Sequence, residues 1–348
     1  MNKKQEEKYN TSKTLQFRAL RCYNVKNMSG ADTMLFLWVA LSLVLFVALV
    51  CYGCFRMAFY VLKKRPVSTE EFPIPEGEIY EPFRDMMVAW MKEVRKLPFE
   101  PVQIRSFDGL KLTGKLYEFA PGAPIELMFH GYRGDSERDL CGGVQRCFAL
   151  GRSVLLVDQR CCGDSDGTVI TFGIHESRDC HSWLEYLLER FGPDRKIILT
   201  GISMGAATVV MAAGKPLPEN VIGVLADCGY TSPKAIIQHV IRQMKLPPAL
   251  CYPFVKLAAR VYGGFDLEEN SPLEAVAQCS VPIIFYHGED DVFVPCHMSK
   301  AVFDACPTRK RLITVPGAGH GLSFPVDQAG YLQTLQEFFG PEASAVQK

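Results

Sequence analysis

Neither sign of charge is in excess in this sequence. Its 348 residues carry 38 basic and 38 acidic side chains, a net charge of zero, whereas a nucleic-acid binder would show a basic surplus. A disulfide framework is also missing. The 13 cysteines have no regular spacing, and an odd number cannot all pair within one chain. A chain of this length needs no disulfide staples, so mostly free thiols are expected, which leans toward a reducing compartment for the main domain. No H-E-x-x-H and no G-x-x-x-x-G-K-[ST] occurs, so the corresponding zinc and nucleotide chemistries have no carrier. Cys51-Tyr52-Gly53-Cys54 has C-x-x-C spacing, but it has neither a second pair nor a βαβ context and does not read as a metal or redox site. The glycines from Gly317 precede no immediate helix and make a poor phosphate cradle. There is no internal repeat and no low-complexity tract. What is present is a folding composition, 48% hydrophobic and 22% charged, which excludes general disorder. The length allows one large domain or two modest ones.

One long hydrophobic run stands out. Thr33 to Phe55 holds no charge, and at about 1.5 Å per residue such a helix spans roughly 34 Å, enough for a hydrocarbon core of about 30 Å. It is apolar all round, which argues against a surface helix, and Trp38, Tyr52 and Tyr60 lie toward its ends, where aromatic rings favour the interface. A buried core helix is the plain alternative. A cleaved signal peptide would have a shorter apolar stretch of roughly 7–15 residues and a short basic leader. Here the leader is residues 1–32, unless the chain starts at Met28, so a retained single-pass anchor is expected. Lys13, Arg18, Arg21 and Lys26 on one side balance Arg56, Lys63, Lys64 and Arg65 on the other, so the basic residues assign no orientation.

The expected organisation is a polar tail (1–32), the membrane helix (33–55), a linker with an amphipathic helix (56–99), an α/β domain (100–340) and a short tail (341–348). Pro66, Pro73 and Pro75 mark the linker as extended. Phe83, Met87, Trp90, Met91, Val94 and Leu97 fall at helical spacing and predict a helix packed on the following domain. From about residue 100, a hairpin across Asp108-Gly109 is followed by strand-like runs at 125–129, 153–157, 196–200, 221–225, 281–286 and 312–315. Helical patterns sit between them at about 137–150, 176–191, 204–214, 297–306 and 326–339. That alternation predicts an α/β fold with a mostly parallel sheet covered on both faces. Residues 231–275 break the rhythm, giving two short helices interrupted by Pro247, Pro248 and Pro253, and they read as a small cap. Ordinary crossover helices are the plainer alternative.

The most informative string is Gly201-Ile202-Ser203-Met204-Gly205, between the strand KIILT and the helical run MGAATVVMAAG. Strand, tight turn and helix in that order form a nucleophile elbow, and the flanking glycines remove Cβ clashes where strand and helix come close. A serine hydroxyl needs a base. Of seven histidines, His320 lies in a glycine-rich loop just after the strand LITV, which can present its imidazole over the sheet, whereas His239 and His297 fall on helices. An acid must orient that imidazole. Glu289, Asp290 and Asp291 follow the strand VPIIFY, and Asp227 ends the strand VIGVLA as a competitor. A developing oxyanion needs donors. The turn His130-Gly131-Tyr132-Arg133-Gly134 can supply the Tyr132 N–H, and the Met204 N–H follows the nucleophile. His130 reads as a brace for the loop, and Arg133 as a solvated surface residue unless it meets an anion.

Taken together, HGYRG, GISMG, HGEDDVFVP and GAGHG make residues 100–340 resemble the α/β-hydrolase superfamily. The chain is similar to its membrane-tethered bacterial esterases and to abhydrolase-domain lipases and thioesterases, and it also resembles the serine aminopeptidase and prolyl-oligopeptidase-like groups. The resemblance implies Ser203 as nucleophile, His320 as base, Asp291 in preference to Asp290 as the acid, and Tyr132 as a backbone donor. It departs from the pattern at Arg160-Cys161-Cys162-Gly163, where similar proteins often carry a histidine at the Cys162 position; both thiols are expected to be buried and inert. The function implied is a serine esterase or thioesterase, without a cofactor, acting on a small-molecule or lipid-like acyl substrate. An amidase or aminopeptidase is the alternative, and a non-catalytic binding protein on the same fold is a second. Ile236, Ile237, Met244 and Leu246 in the cap point to an apolar acyl group. The sequence carries no signal of oligomeric state.

Overall fold

The computed structural model describes residues 30–62 and 71–340; the expected N-terminal polar tail up to residue 29, part of the proline-containing linker and the C-terminal tail 341–348 lie outside the described residues. The apolar run forms helix α1, Gly30–Ala58. Its most apolar 18-residue stretch has a mean hydropathy of 2.9, and among the described residues it is the one helix long and apolar enough to cross a membrane. The chain divides into two compact units, Met1–Gly53 and Cys54–Lys348, so the last turn of α1 belongs to the larger unit.

In the larger unit a short 3₁₀ segment, Glu78–Phe83, leads into α2, Arg84–Val94, whose Met87, Trp90, Met91 and Val94 are buried. The strands are β1 Glu100–Arg105, β2 Lys111–Tyr117, β3 Ile125–Phe129, β4 Ser153–Asp158, β5 Ile197–Ile202, β6 Val221–Asp227, β7 Ile283–Gly288 and β8 Lys310–Val315. They form one sheet in the order β1-β2-β4-β3-β5-β6-β7-β8. The β1–β2 and β2–β4 pairs are antiparallel and all others parallel. The hairpin turns at Asp108-Gly109, where Gly109 has φ +86° and the Ser106 hydroxyl accepts from the Leu110 N–H at 2.8 Å.

Every residue of β3, β4 and β7 is buried, as a parallel sheet covered on both faces requires. Alternate side chains serve opposite layers. Leu127, Phe129, Val224, Ala226 and Phe285 pack with helices α4, Ile174–Phe191, and α5, Met204–Ala213. Leu225, Ile284 and Tyr286 pack on the other side with α2 and with α11, Gln328–Phe339. Between these, α3 spans Gly143–Ala149 and α10 spans Ser323–Val326. The helix expected from residue 137 starts only at Gly143. Gly142 sits at φ +83°, outside helical space, and a Cβ there would lie 2.7 Å from the Trp90 ring.

One charge cluster lies within this core. Glu126 on β3 is fully buried and is met by Arg146 at 2.5 Å and Arg152 at 2.6 Å, with Thr200 donating at 3.0 Å. Burial opposes ionisation of Glu126, but the two guanidinium groups outweigh it and hold the carboxyl down at about 2.

The interval 231–275 gives three helices where two were expected: α6 Pro233–Gln243, α7 Pro248–Ala258 and α8 Pro272–Val276. Ser232 and Ser271 cap α6 and α8, each followed by a proline at the first helical position, where its missing N–H has no consequence. Lys245, at φ +60°, and Pro247 separate α6 from α7, which runs into a π-turn at Ala259–Gly263. Helix α9, His297–Ala305, covers the sheet between β7 and β8.

Candidate active site

The strand-to-helix turn between β5 and α5 has no room for side chains other than the one it displays. A Cβ on Gly201 would lie 2.1 Å from the Gly205 carbonyl oxygen, and one on Gly205 would lie 2.0 Å from that of Phe129. Ser203 between them is at φ +58°, ψ −118°, a strained conformation for a residue with a side chain. Its N–H donates to the Asp227 carbonyl at 2.8 Å, tying the elbow to the neighbouring strand. Met204 opens α5, whose first N–H groups have no partner within the helix.

His320, after β8, places Nε2 2.9 Å from the Ser203 hydroxyl and Nδ1 2.7 Å from Asp291 Oδ2. The second oxygen of Asp291 accepts from the backbone N–H groups of Phe293 at 2.9 Å and Val294 at 2.8 Å. Burial works against the Asp291 charge; hydrogen bonds from His287 and His320 overcome it and hold the carboxyl at about 2. The three neighbouring acids are thus separated by backbone trace: Asp291 is buried, while Glu289 and Asp290 are exposed. Asp227 is engaged elsewhere, accepting from Ser323 Oγ at 2.9 Å and Tyr331 Oη at 3.1 Å, and burial pushes its carboxyl up.

The turn after β3 comes beside the elbow: a Cβ on Gly131 would lie 3.5 Å from that of Ser203. His130 braces this turn, with Nδ1 donating to the Gly131 carbonyl at 2.8 Å and Nε2 accepting from the Gln159 N–H at 3.0 Å. Arg133 is half-buried, and among the described residues its guanidinium meets no carboxylate. It donates to the carbonyls of Met57 at 2.8 Å and Tyr60 at 3.1 Å, because a helix end leaves such carbonyls without partners.

Four contacts were not legible in the sequence. His287, buried at the end of β7, sits with Nε2 3.3 Å from Asp291 Oδ2 and 2.7 Å from the Val294 carbonyl, and with Nδ1 2.7 Å from Ser299 Oγ; it frames the acid loop. Tyr80 donates to the His320 carbonyl at 3.0 Å. Phe293 sets its ring edge-on to His320, centroids 5.0 Å apart. Cys228, one residue beyond β6, is fully buried, and its sulfur with the donor atoms of Asp291 and His320 forms a group within 4.8 Å. Burial pushes that thiol well up, against the thiolate a metal would require. For Cys228 and His287 the available signal was position, since both sit at C-terminal strand ends, where open α/β sheets place their sites.

Of the apolar cap residues, Ile236 and Ile237 are buried in packing, while Met244 and Leu246 are exposed. Helix α6 touches the acid loop: Gln243 donates to the Val292 carbonyl at 2.6 Å. Cys161 and Cys162 are both buried and neither is in a disulfide, and burial holds the Cys161 thiol up at about 12.

A serine, an imidazole and a buried carboxylate in this order can carry a proton off the hydroxyl and return it. A model of the alpha/beta hydrolase family matches residues 127–332. The chain belongs to that family. The hydrolase is 26% identical over 190 residues to the protein YqkD of Bacillus subtilis (strain 168), a match over 54% of this chain and 62% of that protein's length. It is 26% identical over 217 residues to the lysophosphatidylserine lipase ABHD12 of Danio rerio, covering 59% of this chain and 52% of that one. Among solved structures, the hydrolase is similar to the Pyrococcus furiosus esterase Pf2001, with a TM-score of 0.58 at 20% identity over 76% of this chain and 95% of that one. The esterase EaEST of Exiguobacterium antarcticum gives 0.52 at 16% identity over 68% and 98%. At these identities the structural likeness is one of fold.

Proposed function

We propose that this α/β hydrolase is a membrane-anchored serine esterase or thioesterase acting on a substrate with an apolar acyl group. The observation that carries the reading is the hydrogen-bonded chain from Ser203 through His320 to Asp291, built on an elbow whose glycines admit no other residue. In this reading Ser203 Oγ attacks the carbonyl carbon while His320 Nε2 takes its proton. Asp291, ionised, holds the Nδ1–H and stabilises the imidazolium. The backbone N–H groups of Tyr132 and Met204 receive the oxyanion. The C–O or C–S bond then breaks, and His320 protonates the leaving group. Water repeats the cycle on the acyl-enzyme, with His320 as base, releasing the acid and restoring Ser203. No cofactor enters.

Three observations favour a lipid-like acyl group at a bilayer. Helix α1 has the length and hydropathy of a membrane span. The cap carries exposed Leu246, Leu250, Leu257 and Val261, an apolar outer face that water does not favour. Exposed Val292 and Phe293 border the acid loop beside His320. Esterases and a lipase also stand among the similar proteins.

The test compares p-nitrophenyl acyl esters of increasing chain length with aminoacyl p-nitroanilides, using the full chain in detergent micelles and Ser203→Ala as control. Ester turnover that rises with acyl length and vanishes in Ser203→Ala is expected. Faster turnover of the anilides would favour an amidase, and a folded enzyme inert to both would overturn the reading.

A further inference from the structure

We infer that the segment Phe55–Val61, at the end of α1, positions the turn that holds the oxyanion, acting through Arg133 and Tyr132. This rests on the proposed role of the Tyr132 N–H. The side chains of the two residues that follow Gly131 both reach back to this segment. Tyr132 Oη donates to the Ala58 carbonyl at 2.7 Å, and Arg133 Nη2 bridges the carbonyls of Met57 and Tyr60 at 2.8 and 3.1 Å. The last carbonyls of a helix have no intrahelical donors and carry the negative end of its dipole, so a guanidinium and a phenol are suited to hold them.

The carbonyls are themselves fixed from the other side. Phe59 is wholly buried, with ring neighbours Phe172 at 5.8 Å and Phe265 at 5.4 Å. The Val61 N–H donates to the Thr168 carbonyl and the Ile170 N–H to that of Phe59, both at 2.9 Å, a short antiparallel bridge between Tyr60 and Val169. The Tyr132 ring lies 5.1 Å from Phe172, in the same aromatic group. Arg133 is meanwhile at φ +54°, a left-handed conformation that a side-chain-bearing residue keeps only where its surroundings hold it. The turn therefore stores strain at Arg133, and three side-chain hydrogen bonds to the carbonyls of residues 57–60 help to hold it, beside the bonds from Gly131 N–H to Asp139 and from Arg138 Nη2 to the Arg133 carbonyl. If they are lost, the backbone at Tyr132 relaxes and its N–H leaves the position where charge develops. Removing an oxyanion donor altogether typically lowers rate by about 10²–10³, so displacing one by relaxation is expected to lower kcat by about 10- to 100-fold. KM should stay within about twofold, because the ground-state carbonyl does not depend on that donor.

The test uses the full chain in detergent or nanodiscs, with Arg133→Met, Arg133→Lys and the milder Tyr132→Phe, which keeps the ring and removes only its hydrogen bond. The expected result is a loss in kcat at nearly constant KM, largest for Arg133→Met, intermediate for Arg133→Lys and about 3- to 10-fold for Tyr132→Phe. Affinity for a boronic acid that mimics the tetrahedral intermediate should fall by the same factors. Amide hydrogen exchange across residues 131–135 should quicken in Arg133→Met. Folded variants with unchanged kcat, boronate affinity and exchange would overturn the inference while leaving a wild type that turns over esters intact as a hydrolase. If the wild type hydrolyses no ester, the proposed function fails instead, and the exchange rates of residues 131–135 still decide whether the segment holds the turn.

Discussion

The strand-to-helix elbow at Ser203 and the turn after β3 lie side by side but are secured by different means. The elbow is self-contained: Gly201 and Gly205, two residues to either side, determine that strand and helix pass within van der Waals contact there. The turn after β3 depends on distant chain. Arg133 and Tyr132 hold carbonyls 73 to 76 residues earlier, and Gly131 N–H donates to Asp139 at 3.2 Å. On the proposed reading, the nucleophile comes from a local motif, and the geometry of its electrostatic support from a segment outside that motif. The first is hard to perturb without unfolding; the second is adjustable.

The largest effect is expected on the elbow side. Ser203→Ala should lower kcat by about 10⁶, and Asp291→Asn by about 10⁴ through the wrong His320 tautomer. Asp290→Asn, an exposed neighbour, should stay within about twofold of wild type, which ester turnover measures directly. Comparable losses at both aspartates would dissolve the assignment. Next comes the frame beneath the turn. Glu126→Ala leaves Arg146 and Arg152 buried without their partner and should destabilise the fold by about 3–5 kcal/mol in urea denaturation.

A smaller effect follows from pH. Glu126 and Asp291 both have carboxyls lowered in the folded protein to about 2, from 4.5 and 3.8. Each therefore contributes stability that is fully present above its unfolded value and is lost as pH falls from about 4 to 2. The loss is roughly 2 to 3 kcal/mol per group, read as a falling urea midpoint between pH 5 and pH 2.5. In Glu126→Gln the slope of midpoint against pH should flatten over that range. A smaller kinetic loss is expected at Tyr80→Phe, which removes one bond to the His320 carbonyl and should lower kcat by about two- to threefold.

What the sequence disclosed follows the same division. Ser203, His320 and the strand alternation were legible because glycine patterns and apolar periodicity are local signals. The choice of Asp291 over Asp290 was not legible from the residues alone, since adjacent acids differ only in which one the backbone turns inward. The helix expected over 137–150 is shorter because Gly142 cannot stay helical beside Trp90, a contact from a distant helix that the local sequence does not show. The partners of Arg133 are not legible because nothing near it in sequence announces carbonyls 73 residues away. A fragment beginning at residue 66, natural from the proline pattern alone, would omit Phe59 and Val61, both buried in the larger unit.

The central claim is that the strained serine is the group that reacts. The full chain incubated with a fluorophosphonate and digested for mass spectrometry should carry one adduct, on Ser203, and ester turnover should fall in proportion to its occupancy. Labelling at another residue, or ester turnover that persists when Ser203 is fully modified, would contradict the account.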